Sequence, residues 1–307
     1  MNQLDSMQIF VRVAELSSFT AAAESLGLPK ATVSLAVQQL ENLLGTRLLH
    51  RTTRSVQMTQ DGRAVFERSK DLLADFAELQ LLFRKEPSAV SGRLRVDMPI
   101  AIARDLVIPN LSAFLRQHPA LELELSSTDR RVDLVREGFD CVLRVGALLD
   151  SSLIARPLGQ YHMINCASPA YIAEYGLPAS LADLSHHRLV HYLTNFGGRE
   201  PGFEYLDPDT PGSMRHVPMG GVLTVNNSEA YTAACLAGLG IVQSPEPGMR
   251  SYLANGQLVE LLPAYRPAPM PVSLVYANRR HLPQRVQVFM SWISSLLQPR
   301  LLDAAKL

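Results

Sequence analysis

Cysteine, tryptophan and surplus charge are all scarce here: three cysteines, one tryptophan, and 29 basic residues balanced by 29 acidic ones in 307. Cys141, Cys166 and Cys235 are scattered through apolar segments, which excludes the cross-linked framework of a small secreted fold. No apolar run reaches the length of a membrane span. The start Met1-Asn2-Gln3-Leu4-Asp5 has no basic segment leading into an apolar one, so a secretory signal is not expected and the cytoplasm is the expected compartment. Zero formal net charge argues at first against a nucleic-acid binder, which ordinarily carries a visible cationic excess. What the chain does have is length and 47% hydrophobic residues, enough for two or three domains with their own cores.

The most informative stretch is Ser18 to Ser34, SFTAAAESLGLPKATVS, which the spacing reads as two short helices joined by a tight turn. Helices that cross steeply need a small residue at the contact, a glycine where the backbone turns left-handed and a branched apolar residue to lock the second helix. Ala23, Gly27 and Val33 fill those roles. The second helix continues through Leu44 and is expected to stop at Gly45, with Val33, Val37, Leu40 and Leu44 on one face. Its N-terminal half, Lys30 to Ser34, is left free to enter a DNA major groove. An upstream helix is marked by Leu4, Met7, Ile9, Phe10 and Val13.

Beyond Gly45, β-prone residues alternate with cations through Thr59, as a two-stranded wing would, with Arg51 and Arg54 directed to phosphates. The missing cationic surplus is therefore local. Between Lys30 and Arg54 the cations Lys30, Arg47, Arg51 and Arg54 face one acid, Glu41. So small a patch implies modest affinity per subunit and calls for more than one subunit on the DNA. The candidate DNA-contact set is Ser18, Thr20, Lys30, Ala31, Thr32, Ser34, Leu35, Arg51, Thr53 and Arg54.

From Thr59 and Asp61 a long helix is predicted to about Arg84, with Val65, Leu72, Phe76, Leu79 and Phe83 at spacings of seven, four, three and four. That is a coiled-coil seam, and these five residues are the candidate dimerisation stripe. Glu86 to Gly92 then breaks the helix as a hinge. Past Gly92, strands alternate with helices, the pattern of a parallel sheet with helices on its faces. Strands are expected at 93–97, 121–125, 141–145, 163–166, 188–190, 221–225, 241–242 and 272–276. Helices are expected at 106–117, 133–138, 170–175, 228–237 and 283–297, and 195–218 reads as a strand embedded in loops.

The N-terminal residues resemble those of the LysR-type transcriptional regulators: Leu4-Asp5-Ser6-Met7, Ser18 to Ala23, Val33-Ser34, Leu40-Glu41, Leu44-Gly45, Arg47-Leu48-Leu49, Arg51 to Arg54 and Thr59 to Gly62. Gly92 to Val96, Val132-Asp133-Leu134, Glu137 to Asp140, Ala167 to Tyr171 and Ala237 to Ile241 resemble that family's effector domain. The resemblance implies an α/β protein with an N-terminal winged helix-turn-helix (1–59), a dimerising linker helix (60–86), a hinge (87–92) and a two-lobed effector domain of the periplasmic-binding-protein type (93–307). Lobe I would comprise 93–161 and 267–300, and lobe II 162–266. It also implies a dimer or dimer of dimers that binds double-stranded promoter DNA, switched by a small molecule of unknown identity, with RNA polymerase as a candidate further partner and no cofactor. The chain departs from the family pattern at Leu35, where a polar residue is common. A leucine packs on a thymine methyl but cannot bond guanine edges, which shifts base readout to Lys30, Thr32 and Ser34.

Carried over position by position, the resemblance puts the effector site at Pro99, Ile100, Ala101, Ile102, Ser127, Thr128, Arg144, Val145 and Gly146 in the first lobe. In the second it gives Thr194, Asn195, Phe196, Asn226 and Asn227. Ile100 and Ala101 stand where relatives carry serine or threonine, which implies a more apolar site. Arg144 has two readings, an acid group of the ligand or a core carboxylate.

Three other functional classes fit the residues less well. No nucleophile with a base, carboxylate pair or ligand cluster has catalytic spacing, so an enzyme is not expected. Glu122 and Glu124 read as solvated on their strand, and His187 and His191 flank an apolar run that separates them as metal ligands. A thiol-sensing regulator of the same fold would need exposed cysteines near cations, and these lie in apolar settings. A pure solute-binding protein fits neither the missing signal nor the helix-turn-helix.

Overall fold

The computed structural model describes residues 2–51, 56–81, 90–148, 153–194, 196–197, 202–210, 212–277 and 282–302. It divides into two compact units: residues 1–93 with 118–122 and 283–285, and the remainder.

The first unit opens with α1 (Gln3–Leu16), α2 (Phe19–Leu26) and α3 (Lys30–Leu44). Asn2 and Asp5 cap α1 reciprocally, and Ser18 caps α2 by accepting the Ala21 amide. Gly27 and Gly45 end α2 and α3 in the left-handed region, at φ 63° and 68°, as glycine permits without strain. Phe10, Val13, Ala22, Val33, Ala36, Val37 and Leu40 are buried together and hold the three helices as one core. Leu44 departs from the expected face: it is exposed, because the core ends one turn earlier at Leu40. The wing is the antiparallel pair β1 (Leu49–Arg51) and β2 (Val56–Met58), with Leu49 opposite Met58 and Arg51 opposite Val56. Next comes α4 (Gln60–Leu81). The hinge positions 87–89 and Phe83 lie outside the described residues.

The second unit contains two lobes. Lobe I is built on a five-stranded sheet of β3 (Ser91–Met98), β4 (Ala120–Ser127), β5 (Cys141–Val145), β6 (Leu153–Tyr161) and, from far along the chain, the strand Met270–Ala277. Between β3 and β4 runs one long helix with a defect: α5 (Ile100–Ile102), a π turn over Ala103–Val107, then α6 (Ile108–Gln117). The short α7 (Leu134–Glu137) precedes β5. Lobe II contains β7 (Met163–Ala167), α8 (Pro169–Tyr175), β8 (His191–Tyr192), β9 (Phe203–Leu206), β10 (Met214–Val217), β11 (Thr224–Val225), α9 (Ser228–Leu236), β12 (Val242–Pro245), α10 (Glu246–Ala254) and β13 (Val259–Leu261). The chain returns to lobe I with β14 (Met270–Ala277) and runs on into α11 (Gln284–Leu297). Phe114, Phe289 and Trp292 cluster there, with Phe114 and Trp292 stacked at a ring-centroid distance of 4.5 Å.

The sheets are mixed rather than parallel, which corrects the expectation from alternating elements. β3 and β5 are parallel, but β14 runs antiparallel to both β5 and β6, and β7 is antiparallel to β12 and β13. The reason is topological: a chain that leaves lobe I and comes back inserts its returning strand between earlier ones, so alternation along the sequence does not set direction. Residues 203–217 hold a hairpin of β9 and β10 rather than one strand, and 221–225 shrinks to β11. The helix expected from Leu106 starts earlier, at Ile100.

Candidate functional sites: a DNA-reading helix and an inter-lobe cleft

The first turn of α3 is presented by a helix whose opposite side is consumed by the core. Lys30, Ala31 and Leu35 are exposed, Thr32 and Ser34 are half-buried, and Val33 and Ala36 between them are fully buried. Pro29 at the N-cap offers no side-chain acceptor, so the helix start is polarised toward anions. Leu35 is 53% exposed, a costly placement for leucine unless something covers it. Thr20 is exposed on α2, whereas the Ser18 hydroxyl is engaged in its cap. Thr53 and Arg54 lie outside the described residues, and only the backbone of Arg51 is described, at the end of β1.

Glu41, which the sequence offers only as an acid among cations, has a constructive role. Its Oε1 accepts the Leu48 and Leu49 amides at 2.9 and 3.2 Å and ties the start of the wing to α3. Thr59 Oγ1 donates to the Arg47 carbonyl at 2.7 Å and accepts the Gly62 amide at 2.8 Å, which fixes the far side of the wing to the start of α4. Along α4, Val65 packs against the core formed by α1, α2 and α3, while Leu72, Phe76 and Leu79 are 50%, 38% and 60% exposed.

A cleft of about 1290 Å³ lies in the second unit, between its lobes. Of the expected effector positions, Pro99, Ala101, Ile102, Thr128, Arg144, Val145, Gly146 and Thr194 line it. Ile100, Ser127, Phe196, Asn226 and Asn227 are not among its lining residues, and Asn195 lies outside the described ones. The physical reasons differ. Asn227 is consumed as the N-cap of α9, accepting the Ala230 amide at 2.9 Å, and Phe196 is exposed to solvent. Sequence reasoning missed Arg104, Asp129, Tyr161, Met163, Tyr192, Tyr231 and Gln243, all of which line the cleft. Most of these come from elements brought together only by non-local pairing. The tyrosines carried no spacing signal.

The electrostatic centre of the lobe I wall is Arg144. Its Nη1 lies 3.1 Å from Asp97 Oδ2, and Asp97 also accepts the Ser126 and Thr128 hydroxyls at 2.8 and 3.1 Å. Asp97 is fully buried, and burial pushes its carboxyl above the usual range against the opposing pull of Ser126, Arg144 and Thr128. Burial likewise draws the Arg144 guanidinium down, countered by Asp97. Arginine nonetheless stays charged, so the core-carboxylate reading of Arg144 holds. Its Nη2 is buried and has no hydrogen-bond partner among the described residues. On the lobe II side, the Tyr231 hydroxyl accepts the Gln243 amide at 3.0 Å, and Gln243 Nε2 donates to Asn165 Oδ1 and the Glu204 carbonyl, both at 2.7 Å.

Glu122 and Glu124 are exposed, as expected, and face Lys70 and Arg95 in surface ion pairs. His187 and His191 are both buried, and Tyr171 Oη lies 3.2 Å from His187 Nδ1. No cluster of metal-ligating side chains occurs among the described residues, and no described helix is long and apolar enough to cross a membrane. Cys141, Cys166 and Cys235 are all buried and none is in a disulfide, and burial pushes the Cys141 thiol up. Cys235 is pushed up as well, first by its hydrogen bond with Cys166 and then by burial.

Residues 4–63 match the family model described as a bacterial regulatory helix-turn-helix protein of the lysR family, and residues 87–298 match the LysR substrate binding domain. The chain is 47% identical over 298 residues to the HTH-type transcriptional regulator YhjC of Escherichia coli K12, covering 97% of this chain and 99% of that one. It is 39% identical over 296 residues to the HTH-type transcriptional repressor PA14_22550 of Pseudomonas aeruginosa, covering 96% and 92%. Among solved structures, CrgA, a LysR-type transcriptional regulator from Neisseria meningitidis, is similar at a TM-score of 0.59 with 29% identity, over 95% of this chain and 97% of that one. A reader helix with its wing, a cleft between two α/β lobes and these matches along nearly the whole length converge: the chain belongs to the LysR-type transcriptional regulators, DNA-binding proteins with an effector-binding domain rather than enzymes.

Proposed function

We propose that this regulator reads promoter DNA with Lys30, Ala31, Thr32, Ser34 and Leu35 of α3, steadied by Ser18, Thr20 and the wing residues Arg51, Thr53 and Arg54. In this reading residues 1–59 form the reader, 60–86 a linker helix that pairs with a second copy through Leu72, Phe76, Leu79 and Phe83, 87–92 a hinge and 93–307 the effector domain. The assembly is a dimer or dimer of dimers acting in the cytoplasm, and its contact with RNA polymerase follows from its place on a promoter. The exposed Leu72, Phe76 and Leu79 support the pairing, since a half-exposed apolar stripe at seam spacing gains by meeting its like.

The ligand is a small aromatic or otherwise apolar carboxylic acid. The observation that carries this is Arg144 Nη2, a buried guanidinium nitrogen of a cleft-lining residue with no acceptor among the described residues. A buried donor left unbonded costs free energy that a ligand carboxylate restores. Tyr161, Tyr192, Tyr231, Met163 and Met249 provide apolar surface for the ligand's body.

Thermal-shift titration with a panel of aromatic carboxylic acids tests the ligand class. Arg144→Lys keeps a cation beside Asp97 but removes the second arm, and is expected to weaken binding of any stabilising acid about tenfold. Equal affinity of Arg144→Lys and wild type, or no stabilisation across the panel, overturns the reading. Gel-shift titration tests the reader: Arg51→Ala/Arg54→Ala is expected to bind promoter DNA more weakly at moderate salt, and equal affinity contradicts the assignment.

A further inference from the structure

Where the lobes meet at one end of the cleft, the chain supplies a carboxylate of its own. Asp129 follows β4 in lobe I, and its Oδ1 accepts the amide of Ile100, the first residue of α5, at 3.1 Å. Its Oδ2 accepts the amide of Ser228, the first residue of α9 in lobe II, at 2.5 Å. Helix N-termini expose unpaired N–H groups and carry positive potential, and here two of them converge on one side chain. The second helix already has a cap of its own, since Asn227 accepts the Ala230 amide. Asp129 therefore adds a bond across the cleft that α9 does not need in order to begin.

A second contact crosses at the same place. The π turn carries Arg104, whose Nη1 lies 2.5 Å from both carboxylate oxygens of Glu229, the second residue of α9. Asp105, also in the π turn, holds Arg104 Nε and Nη2 at 2.6 and 2.7 Å and fixes the guanidinium. A π turn is a costly interruption that recurs where a helix must aim a functional side chain. Arg104 and Glu229 are both nearly half exposed, so this pair contributes little by itself. The partly buried, charge-assisted bonds of Asp129 are the stronger component.

We propose that Asp129 is a built-in counter-anion that latches lobe II to lobe I and determines which ligands enter. With its carboxylate on the two amides, the α9 terminus is closed to a ligand's acid group, because a second anion beside the first is repelled. The acid group is thereby directed to Arg144. Asp129 is thus a specificity-determining residue for the effector site, an inference that rests on the ligand reading above but is tested without the effector.

The experiment is chemical rescue in the full chain. Asp129→Ala is expected to lower the melting temperature by about 5 °C. Sodium acetate, a free carboxylate small enough to replace the lost one, is expected to recover about half of that loss at ~100 mM, while sodium chloride at equal concentration recovers none and wild type gains less from acetate than the variant does. Melting of Asp129→Ala at the wild-type temperature, or equal effects of acetate and chloride, overturns the proposal. If Asp129→Ala does not fold, Asp129→Asn is read by hydrogen–deuterium exchange. Exchange over residues 226–232 is expected to be about tenfold faster than in wild type, and unchanged exchange there overturns the latch. Failure of the rescue leaves the wild-type response to aromatic acids intact, so the two readings fail separately.

Discussion

Gly62 shows how one residue ties the reader together. A methyl group at this position would collide with the backbone carbonyl of Leu48, where the wing begins, and a main-chain atom cannot swing aside. Gly62→Ala is expected to destabilise the reader by about 2–3 kcal/mol, measured by urea unfolding. Glu137 makes a different prediction. The Arg130 guanidinium, at 2.5 and 2.9 Å, and the Asp133 amide hold its carboxyl down to about 2. A carboxyl depressed in the folded state contributes stability above its unfolded value of 4.5 and loses it as pH falls toward 2. The difference in melting temperature between wild type and Glu137→Gln should therefore shrink from pH 5 to pH 3, and a constant difference would rule the linkage out. At this scale the sequence was legible where a residue acts locally. Gly27 and Gly45 announced their left-handed turns, and Ala23 and Val33 their place in the helix crossing. Asp97 as the partner of Arg144 was not legible, because it depends on β3 lying parallel to β5 with Asp97 opposite Val142.

Elements with strong internal periodicity read clearly, and α1 to α3 and the start of α4 fall where their spacing put them. Others hid for identifiable reasons. β6 contains Pro157, which ordinarily argues against a strand and is tolerated because β6 is at the edge of its sheet. α10 opens Glu-Pro-Gly, a turn signal, yet Pro247 sits in the first helical turn, where its missing N–H is no loss. β13 is only three residues long. The π turn between α5 and α6 leaves no mark in the sequence, since nothing in Ala-Arg-Asp-Leu-Val distinguishes it from α-helix. For α4, the exposed apolar stripe makes a firm prediction: Leu72→Glu/Leu79→Glu should sediment as a monomer while unfolding at nearly the wild-type temperature, because neither side chain is buried within the protomer. Unchanged sedimentation would assign the stripe elsewhere.

For the whole molecule, neutrality coexists with DNA binding because the cations are concentrated: Lys30, Arg47, Arg51 and Arg54 lie within one short stretch of the reader. A dimer that engaged all of them would show a log–log salt slope of about −7, and the measured slope in gel-shift titrations should fall between about −4 and that ceiling. A slope near zero would exclude phosphate neutralisation as the source of affinity. The division into a reader and a two-lobed domain was legible from the change of periodicity near Gly92. The mixed strand directions were not, because they follow from where the chain returns.

The seclusion of every thiol has a practical outcome. With Cys141, Cys166 and Cys235 enclosed by protein, maleimide dyes should leave the native chain unmodified and react only as it unfolds. A cysteine placed on the rim of each lobe would then take fluorophores without any background to remove, so energy transfer between them would report whether the lobes move when a ligand is added.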